Sequence, residues 1–71
     1  MNVIQALRTM LSNAGISAYR VSLDLGFRAN YLQAILSRGT NVRSDVLQKV
    51  ADVCGYKLAL IKDDDVIIID E

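Results

Sequence analysis

The stretch Ile16-Ser17-Ala18-Tyr19-Arg20-Val21-Ser22-Leu23-Asp24-Leu25-Gly26-Phe27-Arg28-Ala29-Asn30-Tyr31-Leu32-Gln33-Ala34-Ile35-Leu36 decides how this chain is read. Ser17 is a residue type that caps helix starts, because its hydroxyl can accept one of the first-turn N–H groups that have no partner within the helix. Val21 and Leu25 follow at helical spacing and are expected to face inward, with Leu23 less clearly so. Gly26 interrupts the run, and glycine readily takes the left-handed conformation that ends helices. A second helix is expected from about Ala29 to Ser37, with Leu32, Ile35 and Leu36 inward. That leaves Arg28, Asn30 and Gln33 on its outer side.

A short helix, a glycine turn and a second helix with a polar outer face form the layout of a helix-turn-helix, which places one helix in the DNA major groove. The charge distribution points the same way. The formal net charge is zero, yet residues 1–43 carry five arginines against Asp24 alone, net +4. Residues 44–71 carry three lysines against seven acidic groups, net −4. Every arginine therefore lies in the part that contains the two helices, and arginine is the side chain best suited to forked contacts with phosphate and guanine.

Working outward, glycines at 15, 26, 39 and 55 punctuate a chain without proline, each after a stretch with helical spacing. A first helix is expected from about Asn2 to Asn13, capped by Asn2, with Val3, Ile4, Leu7, Met10 and Leu11 on one apolar face. A fourth is expected from about Arg43 to Val53, capped by Asn41 or Ser44, with Leu47, Val50, Ala51 and Cys54 inward. Beyond Gly55, Tyr56–Ile61 and Val66–Ile69 are β-prone runs around the polar Lys62-Asp63-Asp64-Asp65, which reads as a β-hairpin with a turn over 62–65. The second run, Val66-Ile67-Ile68-Ile69, does not alternate apolar with polar, so both of its faces need cover. A lone hairpin is marginal in water and an apolar edge strand invites pairing. A homodimer joined through Leu58, Leu60, Val66, Ile67, Ile68 and Ile69 is the expected remedy, the alternative being a hairpin folded back on the first and fourth helices of its own chain.

Composition narrows the functions available. A chain of 71 residues reads as one domain, a helical core over 1–55 and a hairpin over 56–71, near the size at which a single core can carry a fold. Small domains often add disulfides, metals or partner subunits. Cys54 is the only cysteine and there is no histidine, which excludes an internal disulfide and a Cys/His zinc site. The hydrophobic fraction of 52% is high, but no run approaches the roughly 18 apolar residues of a membrane span. With no basic, apolar signal-like start, a cytoplasmic location is expected, without membrane, metal or cofactor. Asp63-Asp64-Asp65 lacks the alternating ligands, glycine and distal glutamate of a calcium loop and reads as a solvated turn. No arrangement of nucleophile and base suggests catalysis, so the expectation is not an enzyme.

The helix-turn-helix segment, together with Gly39-Thr40-Asn41 and Leu47-Gln48-Lys49-Val50-Ala51-Asp52-Val53-Cys54-Gly55, resembles the Cro-type and phage-repressor-type DNA-binding family. Tyr56-Lys57-Leu58-Ala59-Leu60 is similar to a strand that many small bacterial and phage members carry after the fourth helix. The resemblance covers the chain except for the segment after Ile61. It implies a mainly α fold of four to five helices, lambda-repressor-like, with the C-terminal hairpin appended. It also implies that Ser17 caps the second helix, that Gly26 makes the turn, and that Ala29, Asn30, Gln33, Ala34 and Ser37 face the groove with Arg28 at the entry. Two positions and one helix length depart from the family pattern. Ala18 stands where glutamine often anchors DNA, Ala29 stands where a polar residue is usual, and the third helix runs one residue further before Gly39.

The amides of Asn30 and Gln33 can pair bidentately with adenine, and Ala34 can touch a thymine methyl. Ser17, Arg20, Arg38, Asn41 and Arg43 suit phosphates, with an Arg20–Asp24 ion pair as the equal alternative for Arg20. Arg8 reads as a solvated surface charge and Tyr31 as a partly buried residue. The expected function is a sequence-specific transcriptional regulator, a repressor from a phage or mobile element, binding an inverted-repeat operator in double-stranded DNA as a homodimer. Two alternatives stand beside it: the antitoxin of a toxin–antitoxin pair, its hairpin holding the toxin, and a protein-binding inhibitor that has lost DNA binding.

Overall fold

Asn2 opens the fold with a reciprocal cap. Its side-chain oxygen accepts from the Gln5 N–H at 2.9 Å, and the Gln5 side chain accepts from the Asn2 N–H at 2.9 Å, so two orphan donors of the first turn are satisfied. The helix that follows, α1, spans Val3–Ala14 and closes at Gly15, whose left-handed φ of 67° lets the Ile16 N–H fold back onto the Leu11 carbonyl. Three more helices follow in the computed structural model, which describes residues 1–39 and 41–70: α2 Ala18–Asp24, α3 Tyr31–Arg38 and α4 Ser44–Val53. A two-stranded antiparallel hairpin completes it, β1 Leu58–Lys62 and β2 Asp65–Ile69. The described chain is thus mainly helical with a C-terminal hairpin. None of its helices is long and apolar enough to cross a membrane.

The helices share one core built from their apolar stripes. Leu7 and Leu11 come from α1, Ala18 and Val21 from α2, Leu32 and Leu36 from α3, Val46 and Val50 from α4. Fully burying a side chain such as Leu7 stabilises by about 1.5–3 kcal/mol relative to leaving it in water. The sequence reading of these faces needs four adjustments. Val3, in the first turn of α1, is exposed. Val46, which the sequence reading left out, is buried, because the inward line of α4 runs Val46–Val50 at a four-residue step. Leu47, Ile35 and Cys54 flank the core half-buried, and burial pushes the Cys54 thiol pKa up. Finally, α4 is capped by neither Asn41 nor Ser44. The capping position is Arg43, extended at φ −64°, ψ 144°, and its side chain makes no cap bond.

The hairpin pairs Leu58 with Ile69, Ala59 with Ile68, Leu60 with Ile67, Ile61 with Val66 and Lys62 with Asp65. Its turn is therefore Asp63-Asp64 alone, shorter than the 62–65 expected. Lys62 and Asp65 face each other as an opposite-charge pair at the last rung. Asp63 takes a left-handed φ of 49°, a conformation aspartate tolerates better than most residues. The hairpin base is tied to the helices: β1 touches α4, and the Tyr56 hydroxyl accepts from the Asn13 amide at 2.8 Å. Only Leu58, Ala59 and Ile69 gain partial cover there, so the fold-back alternative holds for the base and not for the rest.

Candidate nucleic-acid interface

The segment joining α2 to α3 is fixed by backbone bonds and by one buried hydroxyl. Ser17 caps α2 as expected, accepting from the Arg20 N–H at 3.1 Å. Past the end of α2, Gly26 takes φ 79°, and the chain turns back so that the Phe27 N–H donates to the Ser22 carbonyl at 2.9 Å. Ser22 is fully buried on the inward line of α2. Its hydroxyl donates to the Ala18 carbonyl at 2.8 Å and accepts from the Leu32 N–H at 3.1 Å. One side chain thereby joins α2 to the first turn of α3. A buried polar atom left without a partner costs free energy, so this pair of bonds strongly favours one relative placement of the two helices.

Two further contacts hold α3. The Phe27 and Tyr31 rings lie 4.4 Å apart, with the Lys49 ammonium of α4 5.9 Å from the Phe27 ring centre, within cation–π range. At the other end, the Arg8 guanidinium of α1 donates to the Leu36 carbonyl at 3.3 Å. A cation at a helix C-terminus is favourable because the last carbonyls carry partial negative charge. Arg8 is therefore not simply a solvated charge. Sequence reasoning missed Arg8, Lys49 and Ser22 as contacts. Only Ser22 left a trace, a small polar residue at helical steps from Ala18 and Leu25 on the inward line.

With α3 held in this way, helical spacing places Asn30, Gln33, Ala34 and Ser37 along one line, away from the buried Leu32. Asn30, Gln33 and Ser37 are exposed; Ala34 and Ala29 are half-buried. Arg28 is exposed in the turn before the helix, and Arg38 is exposed in its last turn. The helix starts at Tyr31, two residues later than Ala29, so Asn30 occupies the capping position, where its side chain makes no cap bond. Its carbonyl still accepts from the Ala34 N–H at 2.9 Å.

The remaining candidate donors sit on neighbouring elements. Ser17 and Arg20 belong to the start of α2, and Asn41 and Arg43 precede α4. All four are exposed. Arg20 Nε lies 3.2 Å from Asp24 Oδ1, the ion-pair alternative for that residue, and Arg43 Nη2 lies 3.2 Å from Asp45 Oδ2. Thr40 of the Gly39-Thr40-Asn41 segment lies outside the described residues. Tyr31 is half-buried as anticipated, while Tyr19 is exposed on α2. Comparison with protein-family models, with curated proteins and with solved structures yields no match to this chain.

Proposed function

We propose that the chain is a sequence-specific DNA-binding regulator of the Cro and phage-repressor type, acting as a repressor by occupying a promoter. The observation that carries this reading is the outer line of α3. Asn30, Gln33 and Ser37 stand exposed on a helix whose inner side is anchored by Ser22, Phe27 and Arg8. A helix displayed in this way on a rigid neighbour can enter a major groove about 12 Å wide. Arg28 and Arg38 at its two ends, with Ser17, Arg20, Asn41 and Arg43 alongside, supply donors for the phosphates on either side.

The dimer belongs to the same proposal. The hairpin leaves Leu60 60%, Ile61 73%, Val66 53%, Ile67 56% and Ile68 45% exposed. Cross-strand partners share a face, so Leu60 and Ile67 lie on one side and Ile61, Val66 and Ile68 on the other. In a two-stranded sheet each strand also has an unpaired edge. Because the base of β1 touches α4, the outer edge of β2 is the one we assign to pairing with a second copy. Joining two β2 strands antiparallel gives a continuous four-stranded sheet and a two-fold axis, the symmetry of an inverted-repeat site with half-sites about one helical turn apart.

Selection of bound duplexes from a random pool at two salt concentrations tests the reading. Recovery of an inverted repeat, with binding that weakens as salt rises, is the expected result, because each phosphate contact releases counterions. The same apolar hairpin also favours a second reading, a protein-binding module such as an antitoxin or an inhibitor. Failure to enrich any sequence at either salt would favour that reading and contradict the regulator.

A further inference from the structure

We propose that the groove between α1 and α4 seats the hairpin of a second copy of this chain. This rests on the hairpin dimer above and adds the surface that receives it. At the hairpin base an open cavity of about 240 Å³ is lined by Val3, Ala6 and Met10 of α1, Leu47 and Ala51 of α4, and Leu58 of β1. Side chains alternate along a strand and cross-strand partners share a face, so Leu58 stands on the same side of the hairpin as Leu60 and Ile67. That side continues into the groove as one apolar surface. Ile61, Val66 and Ile68 lie on the other side.

The exposed large apolar residues of the described chain gather here. Met1, Val3 and Tyr56 line the groove, and the hairpin holds the rest except Tyr19 and Leu23. The area matches what a dimer needs. The chain exposes 5109 Å², against roughly 4,400 Å² for a compact monomer of its 7.8 kDa, a surplus of about 700 Å². A standard interface buries about 800 Å² on each partner. Shape and charge favour a copy of the same chain. One chain carries both a concave groove and a projecting hairpin, so across a two-fold axis each copy gives a hairpin and receives one. Lys57 is exposed at the groove rim, and the hairpin turn carries Asp63 and Asp64. Antiparallel pairing of two β2 strands brings the second copy's acidic turn toward this chain's Ile69, and so toward its cross-strand partner Leu58 and the neighbouring Lys57.

The experiment compares two lysine substitutions by sedimentation. Val3 and Leu23 are equally exposed, at 45% and 44%, and Val3 lies in the groove while Leu23 lies on α2. Val3→Lys is expected to raise the dimer dissociation constant by about ten-fold or more, because the dimer covers the position twice. Leu23→Lys is expected to change it by less than about two-fold, as an exposed substitution outside the interface. Equal dissociation constants for the native chain and Val3→Lys overturn the proposal while leaving the hairpin dimer in place. A native chain that stays monomeric removes both, and leaves the groove to an occupant other than this chain. If Val3→Lys does not fold, Lys57→Glu serves in its place. It is expected to weaken the dimer by about three-fold at low salt and by less at high salt, since the contact with the acidic turn is screened. No change at either salt overturns the proposal.

Discussion

Arg43 and Asp45 meet at the exposed start of α4, 3.2 Å apart. An exposed pair of this kind contributes only about 0–1 kcal/mol, so a DNA phosphate can displace the carboxylate. Asp45 is therefore a competitor for the very group proposed to hold the DNA backbone. Asp45→Asn is expected to tighten DNA binding by about two- to five-fold at low salt, with the gain shrinking as salt screens the lost charge. Fluorescence anisotropy on a fixed duplex at two salt concentrations measures it. Unchanged affinity at both would take Arg43 out of phosphate contact. At this scale the sequence is legible where the signal is local: Ser17 and Asn2 cap as their types suggest, because the acceptor and its N–H lie three residues apart. It is illegible where the partner lies far along the chain. Arg8 reaches Leu36 and Ser22 reaches Leu32, and nothing in either residue type specifies that partner.

Among the elements, α2 and α3 could be read because Val21, Leu32 and Leu36 repeat at helical spacing and a glycine separates them. The boundary of α3 was less legible. Ala29 is a strong helix former, yet the Tyr31 N–H bonds the Arg28 carbonyl in a turn, which delays the helix and puts Asn30 at its entrance. In α4, Leu47 and Val46 compete for the inward position, and the structure buries the valine. The hairpin is legible as two β-prone runs, but the interface expected from them lacks Ile61, the most exposed apolar residue of its strands. Both faces and the β2 edge being open, lysines placed there should block pairing, as charged residues do on natural sheet edges. Ile67→Lys with Ile68→Lys puts one charge on each face. Monomers are expected by sedimentation, with helical content retained, because neither side chain contributes to the helical core. An intact dimer would place the interface elsewhere.

For the whole molecule, the zero net charge conceals an uneven distribution, net +4 over residues 1–43 and net −4 over residues 44–71. The arginines accompany α1 to α3 and the start of α4, and the aspartates of the Asp63-Asp64 turn cap the hairpin. Such a distribution favours approach of a polyanion to the arginine-bearing part, and a hairpin-mediated dimer would present two such parts to one duplex. The central claim is that the exposed line of α3 reads base edges. It is tested most directly by running the native protein and the Asn30→Ala, Gln33→Ala double variant through the same random-duplex selection. The native protein is expected to enrich an inverted repeat, and the variant, still folded, to bind with similar salt dependence while losing preference at the positions those amides read. An unchanged selected sequence in the variant would contradict the claim.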